Sequence, residues 1–211
     1  PNVYYWNASG QSWTSITNCN TTITRGTLVL VYVFQDVDYD GDNDLPVTIT
    51  TLTNTSNGIT SESSITSGEY IGLGNPFSSQ IDWDLVNRVN DGSVVSIQAI
   101  IYLYNPSISD WVSYTSNGNG TGTDGASGTG TPTDGIIAPY QGFFVKSNVT
   151  NSGGSNATKS KLTIDTGDIS TASSTFLGRN NGNNNTGNVK FIATTDNSTS
   201  TTFLNFNQWG E

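Results

Sequence analysis

No histidine and no methionine occur in the 211 residues, and cysteine occurs once, at Cys19. Each absence excludes a chemistry. Without histidine there is no Ser-His-Asp or Cys-His pairing of nucleophile and base. One thiol and no imidazole exclude a structural zinc site of the cysteine and histidine kind. A lone cysteine cannot close an internal disulfide, so the chain gains nothing from an oxidising compartment and loses nothing in one. Positive charge is scarce too: 7 Lys and Arg stand against 17 Asp and Glu, for a formal net charge of −10. A surface of that sign repels phosphate, which argues against nucleic acid and anionic lipid as partners and makes divalent cations the natural counterions. No run approaches the ~20 apolar residues that cross a bilayer, so no membrane span is expected.

Hydrophobic residues make up 33% of the chain and charged residues 11%. The hydrophobic share is below that of an ordinary globular domain. Ser, Thr, Asn and Gly fill about half of the sequence. Such a composition could remain disordered, but aromatics reach 10% and the apolar residues gather into strand-length runs. Little cysteine, no methionine and abundant Thr and Asn also match the composition of bacterial surface and appendage proteins. The chain starts at Pro1 and closes on a strand-like run followed by Asn207-Gln208-Trp209-Gly210-Glu211. From this we expect a processed or excised part of a longer precursor.

Period-2 alternation and β-branched residues dominate from end to end. Strands are expected at Val3 to Trp6, Leu28 to Phe34, Pro46 to Leu52, Tyr70 to Leu73, Val94 to Tyr104, Trp111 to Tyr114 and Ile136 to Ala138. Others are expected at Gly142 to Lys146, Leu162 to Ile164, Val189 to Ala193 and Thr202 to Phe206. The continuous run Leu28 to Phe34 suits a strand buried on both faces, and Val94 to Tyr104 suits a central strand. One helix is expected, over Ile81 to Val89, where Ile81, Leu85 and Val89 share a face and Asp82 and Asp84 fall in the first turn. Two segments are low in complexity, Thr115 to Gly135 and Asn180 to Asn188. Both read as long loops, because the strand pattern resumes on either side. The expected fold is an all-β antiparallel sandwich with one short helix, a single module over 1–211. The alternative division is two subdomains, 1–147 and 161–211.

One segment has the chemistry of a cation site. Asp36, Asp38, Asp40, Asp42 and Asp44 alternate with other residues around Gly41. Five carboxylates so close repel one another unless something neutralises them. A D-x-D-x-D-G core supplies alternating oxygen ligands and a glycine where the chain folds sharply, which is what calcium needs. The EF-hand pattern is not completed, since its twelfth position is Val47 rather than Glu and the flanks read as strands. The loop is similar instead to those of calcium-stabilised extracellular repeats such as thrombospondin type 3. Asp36, Asp38, Asp40 and Asp44 are the expected side-chain ligands, with the Asp42 carbonyl. The bland alternative is a solvated acidic turn.

Other candidates are weaker. A carboxylate pair for glycoside hydrolysis stays open in principle, with Asp82 and Asp84 flanking Trp83 and Glu62 and Glu69 upstream. Carboxylates in a first helical turn are more often structural, and the expectation is that the chain is not an enzyme. Tyr4, Tyr5, Trp6, Trp13, Trp111 and Tyr114 could stack on sugars, although core packing is the commoner use of strand aromatics. The N-x-S/T sequons are no more numerous than so much Asn, Ser and Thr would generate by chance.

Three stretches are familiar as a set. Leu73-Gly74-Asn75-Pro76-Phe77 with Ile81-Asp82-Trp83-Asp84 resembles a "GNPY…IDWD" signature. Ile101-Tyr102-Leu103-Tyr104-Asn105-Pro106 resembles an "IYVWDP" strand, and Ile137-Ala138-Pro139-Tyr140-Gln141-Gly142-Phe143-Phe144-Val145 an "IAPGQGFFV" strand. Thr24-Arg25-Gly26 ahead of Leu28 is similar to that family's "RGxGYLVYV" entry. In this order they resemble the β-rich module of large secreted Bacteroidota proteins, often found just before the sorting domain of the type IX secretion system. The resemblance implies an extracellular or cell-surface location and an accessory, adhesin-like role without catalysis. The acidic loop is not a fixed part of that pattern, and no sorting domain is present in the 211 residues.

The function expected from all this is a non-catalytic structural module of a surface layer, adhesin or filament, stabilised by calcium. Its expected partners are copies of itself, joined through strand edges. The alternatives are a glycan-binding module and an accessory domain of a larger secreted enzyme.

Overall fold

The computed structural model describes residues 2–18, 20–32, 40–41, 48–50, 58–63, 68–90, 94–105, 110–116, 126–127, 135–148, 160–172, 186–195 and 198–207. Its strands in chain order begin with β1 (Val3–Asn7), β2 (Ser12–Ser15), β3 (Val29–Val31), β4 (Thr48–Thr50), β5 (Ile59–Ser63) and β6 (Tyr70–Gly74). They continue with β7 (Ile81–Asp82), β8 (Val89–Asn90), β9 (Val94–Val95), β10 (Ile97–Asn105), β11 (Asp110–Thr115) and β12 (Ala126–Ser127). The last are β13 (Ile136–Ile137), β14 (Gly142–Ser147), β15 (Ser160–Ile164), β16 (Thr186–Thr195) and β17 (Ser198–Asn207). The fold is all-β and sandwich-like, with several antiparallel sheets and no closed barrel among the described residues.

The centre is a five-stranded sheet in the order β12-β11-β10-β14-β6. Its alternation is the one the sequence carries. Along β10, Ile101 and Leu103 are buried while Tyr102 and Tyr104 face outward; along β14, Phe143 and Val145 are buried while Lys146 faces outward. Register keeps the faces matched, with Ile101 opposite Val145 and Tyr102 opposite Phe144. The inner face contributes Ile71, Leu73, Ile101, Leu103, Val112, Tyr114, Phe143 and Val145 to one core. Phe77, Ile81, Trp83, Val86, Ile97, Ile137, Leu162 and Ile164 complete that core. Full burial of each such side chain is worth about 1.5–3 kcal/mol, which makes this layer the largest apolar contribution among the described residues. Leu162 and Ile164 come from β15, which pairs with β5 from Ser160↔Ser63 to Ile164↔Ile59.

The outer face is partly roofed by a second sheet, β2-β1-β3. The roof sits close because glycine lies beneath it. A Cβ at Gly72 would come within 2.8 Å of both Leu28 and Trp6, and one at Gly142 would collide with Leu28. The roof also occupies the open edge of β6. The Gln11 amide donates to Tyr70 O at 2.9 Å and accepts from Tyr70 N at 2.8 Å, as a neighbouring strand would. Further along, Thr27 bridges Leu73, and Gly74 N donates to Gly26 O.

Four sequence expectations are corrected. Residues 81–89 are not helical: Ile81 and Asp82 pair as β7 with β13, residues 83–85 form a turn and Val89 begins β8. The Asp82 carboxylate takes the Asp84 N–H at 2.9 Å, which closes a local turn in place of a helical one. Ile81 also bridges Ile169, so extended pairing on two sides overrides the four-residue spacing, and Leu85 is left exposed. The one helical turn described in full is a 3-10 turn at Thr166–Asp168.

The run from Leu28 is not a doubly buried strand. β3 is an edge strand of the roof, half-buried throughout, and Tyr32 is exposed; residues 33 and 34 lie outside the described residues. Val94 to Tyr104 is broken at Ser96 into β9 and β10, because Ser96 turns its hydroxyl to Lys161 O at 2.8 Å. Lastly, one pair is parallel, β4 with β16. Within the low-complexity segment, Ala126–Ser127 pairs with β11 as β12.

Candidate functional site

The three sequence signatures meet in space. Asn75, buried, shares its two amide hydrogens among Ser79 O at 2.9 Å, Ala138 O at 2.9 Å and Ile137 O at 3.3 Å. Its Oδ1 accepts Phe77 N at 3.0 Å, and its backbone N–H donates to Gln141 O. Asn75 thus ties the first signature to the third. The third turns at Ala138 to Gln141, where Gln141 N reaches Ala138 O at 3.1 Å and Tyr140 adopts φ 58°. A proline followed by a residue of positive φ is the type II pattern, and glycine is the usual occupant of the second place.

Trp83, in the first signature, reaches both the third and β10, the strand that carries the second. Its indole N–H donates to Ala99 O at 2.7 Å, and its ring meets Phe143 edge-on at 6.1 Å. The Arg88 guanidinium lies 5.5 Å from the Trp83 ring centre. Burial draws Arg88 below its ordinary range, and the negative charge of Asp84 opposes that shift. Asp84, also buried, accepts the Tyr114 hydroxyl at 2.6 Å. The Asn75 amide, the Trp83 indole N–H and the Tyr114–Asp84 hydrogen bond hold strands and turns together.

A second feature lies on the outer face of the five-stranded sheet. Phe144 is met edge-on by Trp6 at 4.9 Å, Trp111 at 5.3 Å, Tyr70 at 5.9 Å and Trp13 at 6.1 Å. Trp6 contacts Trp13 at 5.5 Å, and Tyr104 contacts Trp111 at 5.4 Å. The Lys146 ammonium stands 4.6 Å from the Tyr70 ring centre and 5.3 Å from that of Tyr102. Hydrogen bonding with the Tyr70 hydroxyl holds Lys146 above its ordinary range. Trp111, Tyr104 and Trp13 remain 49%, 44% and 37% exposed.

The expected site residues fall as follows. Asp36, Asp38, Asp42 and Asp44 lie outside the described residues; Asp40 is exposed at a bend beside Gly41, whose φ is 92°. Among the described residues no group of three or more His, Cys, Asp or Glu is placed to hold a metal. Asp82 and Asp84 are bound into the turn and the core, and Glu69 is half-buried. Of the aromatics, Trp13 and Trp111 stand at the surface, Trp6 belongs to the roof strand β1 with its ring against Phe144, and Tyr114 is a core residue. Phe144, Tyr70, Tyr102, Tyr104 and Lys146 were not among the candidates. Their signal was the outward phase of the alternation in β6, β10 and β14, which matters only once the register is known.

Comparison with protein-family models, with curated proteins and with solved structures found no match to this chain.

Proposed function

We propose that the chain is a non-catalytic structural module of an extracellular or cell-surface bacterial protein, and that its copies associate edge to edge through β17. The observation that carries this reading is the character of that strand. β17 runs for ten residues, Ser198–Asn207, and among the described residues it is hydrogen-bonded on one side only, to β16. Its sequence, STSTTFLNFN, has no charge, no proline and no glycine. A long edge without these features offers a row of N–H and C=O groups to another strand. The edge of β6, by contrast, is occupied by Gln11 and Thr27.

Two further points support the reading. The signature residues Asn75, Trp83 and Asp84 direct their polar groups to the fold. Their resemblance to the secreted Bacteroidota module points outside the cell. Calcium belongs to the same proposal, as a staple of the loop from Asp36 to Asp44, and the positive φ of Gly41 suits the sharp turn such a loop requires.

Sedimentation and negative-stain microscopy over a concentration series test the assembly. Oligomers or filaments are expected from the wild-type chain. The paired substitution Ser200→Lys with Thr202→Lys is expected to abolish them while leaving the melting temperature intact. A wild-type chain that stays monomeric at high concentration would refute assembly through this edge.

A further inference from the structure

We infer that the open part of the outer sheet face binds an uncharged polysaccharide chain. Its floor is Tyr102, Tyr104 and Trp111, the last packed on the buried Phe144; its wall is Trp13 on the roof sheet, and Lys146 stands at its far end.

The choice of occupant rests on the kind of surface this is. Six large hydrophobic side chains are exposed among the described residues, and Trp13, Tyr104 and Trp111 lie on this one face. All three are flat rings with a polar group of their own, a hydroxyl on Tyr104 and an indole N–H on Trp13 and Trp111, so each offers an apolar face beside a hydrogen-bonding atom. A pyranose presents C–H groups on one face and hydroxyls around its rim. The C–H face stacks on the electron-rich face of an aromatic ring, and the rim needs donors and acceptors. The floor supplies both, with tyrosine hydroxyls at Tyr102 and Tyr104 and the Lys146 ammonium.

The rings are also already in place. Phe144 packs edge-on against four other rings, and Tyr104 against Trp111, so little side-chain freedom is lost on binding. Strand spacing and rise separate Trp111 from Lys146 by roughly 17 Å, a span suited to several sugar units rather than one. Charge selects among polysaccharides. With 17 acidic against 7 basic residues, the chain repels a polyanion at long range, and the Lys146 ammonium is shared with two rings. An uncharged chain meets no such barrier. This site does not depend on assembly through β17.

Affinity electrophoresis in native gels tests the inference, since a chain of pI about 4.1 migrates readily. The probes are hydroxyethylcellulose, laminarin, galactomannan and xylan, with polygalacturonate as the anionic comparison. At least one neutral polysaccharide is expected to retard the wild-type chain and to quench its tryptophan fluorescence. Trp111→Ala and Trp13→Ala are each expected to weaken that binding roughly fivefold. Both residues are surface-exposed, and an unchanged melting temperature for each variant verifies the fold. Three results would overturn the inference: no retardation by any neutral polysaccharide, retardation by polygalacturonate alone, or retardation that survives both substitutions together. Loss of a dimer on Trp111→Ala, without any polysaccharide binding, would assign the face to a second copy instead.

Discussion

At the scale of single residues, the chain depends on a few buried polar side chains whose partners lie far away in sequence. Asn75 is the clearest. Its amide serves three carbonyls across the junction of two signatures, and its carbonyl oxygen receives Phe77 N. Asn75→Ala leaves these groups buried without a partner, and a loss of about 2–4 kcal/mol in unfolding free energy is expected. Chemical denaturation measures it.

Asp168 gives a prediction of opposite sign. Its carboxylate accepts Asp165 N at 2.8 Å in a reciprocal cap, but burial lifts its pKa to about 6. The charges of Asp165 and Asp82 add to that rise, and the backbone hydrogen bond opposes it. A carboxyl with a raised folded-state pKa favours folding when protonated. Its contribution is fully present below the unfolded value of 3.8 and is lost as pH rises through about 6. In full that shift is worth about 3 kcal/mol, and solvent screening at this partly open turn reduces it to about 1–2 kcal/mol. Asp168→Asn keeps an acceptor for Asp165 N without the charge. It is expected to raise stability near neutral pH by about 1–2 kcal/mol and to flatten the profile between about pH 4 and 7. Equilibrium unfolding across that range checks both.

At the scale of elements, most strands were legible and their boundaries nearly so, because a half-buried strand writes its burial into alternate residues. β10, β11 and β14 fall where Ile101, Leu103, Val112, Tyr114, Phe143 and Val145 mark every second position. β5 was missed because ITSES carries a single apolar residue and no alternation. The pairing partner β15 supplies what its own sequence lacks. The helix expected over 81–89 failed for a related reason: Ile81 has two extended neighbours, and a spacing of four cannot report them. Edges belong to this scale as well. The edge of β6 is closed by the Gln11 side chain, whereas β17 is paired on one side only among the described residues, and it is the strand on which edge-to-edge assembly is proposed.

At the scale of the whole molecule, the five-stranded sheet separates two environments. Its inner face is a closed apolar core, and its outer face is a half-roofed aromatic floor. Calcium would act on the stability of this whole. At a free concentration a hundred times its dissociation constant, one bound ion adds about 2.7 kcal/mol, or about 5–10 °C in melting temperature for a chain of this size. A chelator is therefore expected to lower the melting temperature by that amount, and Asp38→Ala with Asp40→Ala to remove the sensitivity. Calorimetry with and without chelator decides it, and an unchanged melting temperature would leave the loop a solvated acidic turn.

The sequence by itself determined the all-β class, the phase of the central strands and the exclusion of histidine chemistry and of a cysteine–histidine zinc site, because each of these is set by residue type and near neighbours. It also carries the acidic spacing from Asp36 to Asp44, which is a local pattern. Only the tertiary structure decided that Asn75, Trp83 and Asp84 meet Ala138, Ala99 and Tyr114. Only the tertiary structure placed Tyr114 inside and Trp111 outside, and gathered Trp13, Phe144 and Lys146 onto one face. Those facts follow from strand register and from the close approach over Gly72 and Gly142, and both are relations between segments distant in the chain.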